Sequence, residues 1–270
     1  MKATVLIDNI AHNDCCGEWG LSVFIEHEGK NILLDTGASG KFAKNAEKLG
    51  LDLRAVDYGV LSHAHYDHSD GMKDFFALND KAYFYLQEDC KEKCFGRRFI
   101  FIKYIGIKKA ILKNFDDRIK YINGKAELCK NAYLLPHTTE SLESIGKKAG
   151  MLITSNGRLT HDSFSHEQSL VLRTEKGLVI FNSCSHGGAD NIINEVGEVF
   201  PQEKIHALIG GFHLYRSDEE EVRALARRIK DTGIEKIYTG HCTGNKAFDI
   251  LKEILGEGAA QLKVGLEIEI

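Results

Sequence analysis

Apolar positions along the chain fall into short runs, each ended by a polar or glycine-containing turn. Residues 4–7 (TVLI) predict a first strand, and 21–26 (LSVFIE) with 31–35 (NILLD) predict a hairpin turned at Glu28 and Gly29. Between them, residues 9–20 (NIAHNDCCGEWG) form a polar loop holding the only Trp; it is too long for a tight turn and is a candidate site wall. Ser39 stands where it can cap a helix over 40–49, closed by Gly50. A strand at 58–62 follows, then a polar stretch, then a helix from Asp70 and Gly71 through Phe75, Phe76 and Leu78. Short strands are predicted at 132–135 and 151–154, with a polar helix over 140–148 between them.

The second half has a stronger pattern. SLVLRT and LVIFNS make a hairpin through Glu175, Lys176 and Gly177. Ile192, Ile193, Val196, Val199 and Phe200 share one helical face, and IHALI is the next strand. Ser217 and Glu220 have capping-box spacing ahead of the stripe Val222, Leu225, Ala226 and Ile229. KIYT, a helix through Leu251 and a C-terminal strand LKVGLEIEI complete the chain. Three of these strands, ending near 183, 209 and 239, each run into a short glycine-containing loop with a histidine: His186, His213 and His241. Histidines carried at strand ends converge. No Pro/Ser-rich linker divides the chain, so residues 1–270 are expected to form one α+β domain, a four-layer αββα sandwich with two sheets face to face and helices outside.

Composition narrows the function. An apolar content of 43% suits a substantial core, and a net charge of -4 gives no general pull toward nucleic acid or anionic lipid. No run of about 18 apolar residues exists to span a bilayer, and MKATVLIDN lacks the apolar core and cleavage site of a signal peptide, so the cytoplasm is the expected location. Seven cysteines at irregular spacing do not make a disulfide framework. Cys184 and Cys242 each adjoin a candidate histidine and read as small buried residues rather than soft ligands. Residues 91–130 carry twelve Lys/Arg against four Asp/Glu, with aromatics interleaved. That stretch reads as the solvated basic face of an inserted α/β segment, with a lid over an anionic substrate as the functional alternative.

The chemistry concentrates in residues 60–71, VLSHAHYDHSDG, which place His63, His65, Asp67 and His68 within six positions. Imidazole and carboxylate are ligands for Zn²⁺ and its first-row neighbours, and one short loop can aim several at a point. On an extended backbone His63, His65 and Asp67 would share one side; a turn into helix would bring His68 back beside them.

HAHYDH fits the HxHxDH signature, and with the preceding LLDTG and the late TGHCTG the chain resembles the metallo-β-lactamase superfamily along most of its length. That resemblance implies the αββα fold and metal-dependent hydrolysis. It implies that His63 and His65 bind one ion, that Asp67, His68 and His241 bind a second, and that Asp35, ending LLDTG, supports the ligands from behind. The ions expected are two Zn²⁺, with Mn²⁺ or Fe²⁺ as alternatives. Many members end the strand matching LVIFNS in a bridging aspartate. Here the next ligand type is His186, taken as the missing ligand of the first ion, and Asp162 and Glu167 are the candidates for a further, bridging ligand. One carboxylate against two Zn²⁺ leaves the ligand shell near +3, which favours an anionic small-molecule substrate such as a phosphate ester, phosphodiester or lactone. Asp67 would orient the nucleophile and His213, in GGFHL, would contact substrate or act as general acid.

The motifs EWGLSVFIE, CSHGG, GGFHL and TGHCTG resemble a narrower subgroup labelled 7,8-dihydropterin-6-methyl-4-(β-D-ribofuranosyl)aminobenzene-5'-phosphate synthase, so a pterin-phosphate synthase is an alternative. Others are a di-iron redox member, against which His65 argues because flavoprotein relatives have glutamate there, a non-catalytic binding member, and a nuclease.

Overall fold

The computed structural model describes residues 1–155 and 157–270. Two seven-stranded sheets stack face to face. The first runs, edge to edge, Glu267–Glu269, Lys2–Ile7, Ser22–His27, Lys30–Leu34, Tyr58–Val60, Tyr83–Gln87 and Ile119–Ile122. The second runs Ala259–Gln261, Lys236–Thr239, Ile205–Gly210, Gly177–Phe181, Gln168–Thr174, Ala132–Pro136 and Ala126–Cys129.

Three apolar clusters mark the three interfaces of a four-layer sandwich. Val5, Val23, Ile25 and Leu34 of the first sheet meet Leu134, Leu170, Val179 and Ile209 of the second. On the first sheet's outer face, Leu33 and Phe84 pack under Phe42, Met72, Phe75 and Ile111 of the helices Lys41–Lys48, Met72–Leu78 and Lys109–Asn114. On the second sheet's outer face, Ile180, Leu208 and Ile237 pack under Ile192, Val196, Leu225, Ile229 and Leu251 of the helices Ala189–Val199, Glu219–Asp231 and Asn245–Leu255. Burying each large apolar side chain contributes about 1.5–3 kcal/mol, so strand alternation in the sequence fixes which face of each sheet is dry.

Both sheets change from antiparallel to parallel pairing part-way across. Lys30–Leu34 pairs parallel with Tyr58–Val60, and Gly177–Phe181, Ile205–Gly210 and Lys236–Thr239 are mutually parallel. Their carboxyl ends therefore lie along one edge, and the loops leaving them meet there.

Some expectations change. Only Glu267–Glu269 of LKVGLEIEI is strand, pairing with Lys2–Thr4 in the first sheet, and the second sheet is closed by the preceding Ala259–Gln261. Asp218, not Ser217, caps the helix Glu219–Asp231, its Oδ1 accepting from the Glu221 N–H at 2.9 Å. The strands of the basic stretch 91–130 are divided among three sheets. Cys94–Arg98 and Phe101–Tyr104 join Met151–Ser155 and Arg158–His161 in a four-stranded third sheet, while Ile119–Ile122 and Ala126–Cys129 take edge places in the two main sheets.

Candidate metal centre

Four residues that start the ligand loops have φ between +46° and +55°: Asp35, Ser185, His213 and His241. Each is non-glycine backbone in a sparsely populated region, costing on the order of 1–3 kcal/mol and held by the surrounding fold. The strand ends turn this sharply so that their side chains point into one buried hollow between the sheets.

His63, His65 and His186 bring one set of nitrogens together. Ligand atoms from the three lie within 4.8 Å of one another, and the Nε2 atom of each is buried with no hydrogen-bond partner. Their tautomers follow from what lies behind them. Ser62 Oγ donates its one proton to Asp35 Oδ2 at 2.6 Å, so at 2.8 Å from His63 Nδ1 it accepts, and the His63 lone pair is on Nε2. Glu167 Oε2 accepts from His186 Nδ1 at 2.8 Å, with the same result. Burial, reinforced by the neighbouring imidazoles, pushes His63 and His65 well below the ordinary histidine value, which keeps those lone pairs free.

A second set faces the first. His68 sits in the short helix Tyr66–Ser69, whose turn brings it back toward His63, ring centroids 4.2 Å apart. Asp35 Oδ2 accepts from His68 Nδ1 at 2.8 Å, and Asn9 Oδ1 accepts from His241 Nδ1 at 3.1 Å. The two Nε2 atoms then confront each other at 3.2 Å, with Asp67 Oδ2 3.8 Å from His68 and 3.7 Å from His241. Burial opposes a charge on His68, but Asp67 and Asp35 outweigh it and lift the group to about 9. The pocket therefore favours positive charge between these rings, which a divalent cation supplies. Imidazole and carboxylate donors suit first-row ions, so the residues present fit such a group.

Cys184 stands between the sets. Its Sγ lies 3.3 Å from His68 Nε2 and 3.4 Å from Cys242 Sγ, and it groups within 4.8 Å with His63 and His68, with His241 and Cys242, and with His186 and His213. Cys184 and Cys242 are buried, as their type suggested, yet they also line the centre. Neither Asp162 nor Glu167 fills the bridging place. Asp162 is spent on the Phe164 N–H at 2.8 Å and on His166 Nε2 at 3.2 Å, and Glu167 on the His186 N–H and Nδ1. A further group of His65, Cys94, Asp162 and His166 is also close-set. There, however, His166 Nδ1 accepts from the Ala64 N–H and its Nε2 proton goes to Asp162, so it offers no lone pair.

The loop 9–20 does form a wall. The Trp19 ring lies 5.1 Å from both Tyr215 and His241. His213 is at the rim, 4.6 Å from the His186 ring, with its Nδ1 unpartnered and its backbone N–H on Cys242 Sγ at 3.2 Å. Asn9 and Ser62 carry no site signal of their own in the sequence, and Cys184 only that of a buried thiol. Their types are common in loops and cores, and only their partners across the fold give them meaning.

A family model for the metallo-beta-lactamase superfamily matches residues 20–241. The chain belongs to that superfamily. The resemblance seen in HAHYDH and the αββα expectation are both met. The chain is 29% identical over 262 residues, 91% of its length and 88% of the relative's, to a Methanocaldococcus jannaschii protein described as 7,8-dihydropterin-6-methyl-4-(beta-D-ribofuranosyl)-aminobenzene-5'-phosphate synthase. A solved structure of a metal-dependent hydrolase of the beta-lactamase superfamily matches with TM-score 0.85 and 32% identity, covering 100% of this chain and 99% of that one. A metallo-beta-lactamase fold protein from Bacillus subtilis matches at TM-score 0.58 and 12% identity over 99% of both chains, a likeness of fold alone. Among the described residues no helix is long and apolar enough to cross a membrane.

Proposed function

We propose that the protein is a dinuclear metal-dependent hydrolase, with zinc as its metal, that cleaves a small anionic ester such as a phosphate ester, phosphodiester or lactone. The observation that carries this reading is the pair of facing lone-pair sets around Cys184: His63, His65 and His186 on one side, Asp67, His68 and His241 on the other. These residues, together with Cys184 beside both sets, would hold two ions. When bound, such ions lower the pKa of water toward about 7 and stabilise a developing oxyanion. A thiolate in the set favours zinc over magnesium or manganese.

Asp67, with one oxygen near both His68 and His241, orients the attacking water and accepts its proton. One water is consumed: its oxygen bonds to phosphorus or carbonyl carbon, the ester P–O or C–O bond breaks, and the leaving oxygen takes a proton. His213 is placed to give that proton, because its Nδ1 has no partner and its ring opens toward Tyr215, 5.3 Å away. Trp19 and Tyr215 wall the centre from bulk water. Asp67 and a Cys184 thiolate against two divalent ions leave about +2 rather than +3, still attractive to an anion.

The test is turnover of a p-nitrophenyl phosphodiester, a phosphomonoester and a lactone by zinc-loaded protein, with Asp67→Ala beside wild type. Loss of at least about a hundredfold in kcat is expected for the variant; equal rates would end the catalytic reading. A second reading, a synthase, is favoured by the described activity of the 29% identical relative. It gains if the protein forms the compound that the relative's description names while no ester is hydrolysed.

A further inference from the structure

The cleft above the centre encloses about 1220 Å³. Small-molecule pockets usually run to roughly 300–1,000 Å³, so an ester just large enough to reach the ligand residues would leave much of this space to water. The floor is His65, Asp67, His186 and His241, the middle is walled by Trp19, Tyr66 and Tyr215, and the mouth is formed by the hairpin strands Cys94–Arg98 and Phe101–Tyr104, the helix Glu143–Ala149 and the loop after Ile205–Gly210.

The mouth is cationic in an unusual way. Lys148 and Arg228 also line it, but each is engaged, by Glu221 and by Asp190. Arg97, Arg98, Lys103, Lys147 and Arg216 have no carboxylate within 4.0 Å among the described residues. Three come from the hairpin, one from the helix and one from the loop, so separate segments bring like charges to one concave wall. Repulsion among them raises the cost of that arrangement unless an anion lies between. Two are also held over aromatic rings that line the same cleft: Arg216 over Tyr215 at 4.9 Å and Lys103 toward Tyr66 at 5.9 Å. These side chains are exposed, yet they line the same cleft as the metal-ligand cluster rather than a face away from it.

We propose that Arg97, Arg98, Lys103, Lys147 and Arg216 form a second anion subsite at the mouth of the cleft. The substrate is then an elongated ester with two anionic ends: the scissile group at the floor, a flat body lying against Trp19, Tyr66 and Tyr215, and a remote phosphate at the mouth. This rests on the hydrolase reading for the role of the floor, but the subsite itself is a matter of binding.

Two measurements separate the two. Calorimetry compares thymidine 3',5'-bisphosphate with thymidine 5'-monophosphate on the metal-loaded protein. Wild type is expected to prefer the bisphosphate about tenfold, as charge-assisted contacts to one added phosphate provide, and Arg97→Ala/Arg98→Ala is expected to remove most of that preference. Lys113→Ala, on the basic segment but outside the cleft, keeps it. The second measurement is the KM ratio of the p-nitrophenyl ester of thymidine 5'-phosphate with and without a 3'-phosphate. The ratio should be about tenfold in wild type and near one in the double variant, through KM rather than kcat. Equal affinity for bisphosphate and monophosphate in wild type, or a preference untouched by the double variant, overturns the subsite even if both esters turn over. Persistence of the binding preference with no turnover of either ester upholds the subsite and removes the hydrolase reading instead.

Discussion

Asp35→Asn is the substitution that most directly questions how the centre is built. Asp35 is fully buried, and its oxygens accept from the Ser62 N–H at 2.7 Å, the Ser62 hydroxyl at 2.6 Å and His68 Nδ1 at 2.8 Å. An asparagine keeps the shape and can still accept from the Ser62 N–H. Its amide nitrogen, placed at Oδ2, meets two donors. Ser62 would have to turn and donate to His63 Nδ1, which drives the His63 proton to Nε2, into the lone-pair set. His68 would face the same choice. One amide therefore blocks one nitrogen in each ligand set. Two charge-assisted hydrogen bonds at about 1.5–3 kcal/mol each are at stake, and losing a carboxylate behind metal-bound histidine typically costs ten- to a hundredfold in affinity. Competitive titration of zinc against a chromogenic chelator should show a loss of at least about a hundredfold in total, because both sets are affected. Ser62→Ala should show the smaller loss, confined to the His63 side. A folded Asp35→Asn protein with wild-type zinc affinity would refute the tautomer argument.

Further outcomes follow from the same geometry. Cys184→Ser exchanges a soft donor for a hard one at the point shared by both sets, so metal content by elemental analysis should fall from about two ions per chain to about one; two ions held at wild-type affinity would remove Cys184 from the ligand set. Chelation should lower thermal stability, since an ion present at a thousand times its Kd stabilises by about 4 kcal/mol, or roughly 10 °C in a domain of this size; melting unchanged by chelator and by zinc would contradict the centre. Gly210→Ala places a Cβ 1.9 Å from the Asn182 carbonyl oxygen, at φ +148°. A urea midpoint lowered by the equivalent of about 3 kcal/mol or more is expected, and an unchanged midpoint would refute it.

What the sequence shows depends on whether a residue's chemistry announces itself. HAHYDH is legible because four ligand types in six positions have little use in a core, and the strand-end histidines are legible because glycine turns after apolar runs place them. Cys184 is not, since a buried thiol serves equally as a small apolar residue. Glu167 and Asp162 mislead in the other direction. Their carboxylates look like ligands on paper, whereas in the fold each is consumed by a neighbouring N–H and imidazole. Asn9 is invisible for a topological reason: it meets His241 only because the N-terminal strand and the strand Lys236–Thr239 end at the same edge of the sandwich. The basic segment is legible as charged, but the division of its strands among the three sheets is not, because strand pairing, unlike composition, is set by partners far along the chain.

The buried charges around the centre argue for the number of ions. Asp35, Asp67, Glu167 and Glu195 are all buried carboxylates. Burial would keep His137 neutral, but it lies between Glu167 and Glu195, 3.7 Å and 3.0 Å away, and their hydrogen bonds and charges lift it to about 10. Its single positive charge offsets one of the four negative ones. Glu167 is held well below the ordinary range despite its burial by the histidines on either side, His186 and His137, so it does not relieve the excess by taking a proton. Three negative charges, and a fourth when Cys184 ionises to bind, then remain in a water-poor interior where unpaired charge costs several kcal/mol each. One divalent ion would leave part of that uncompensated, the more so because Asp8, which accepts from the His241 N–H at 2.8 Å, is buried as well, so the charges call for more than one ion. The same count places the positive field at the floor of the cleft, with the carboxylates behind the histidines and the open face toward Trp19, His213 and the cationic mouth.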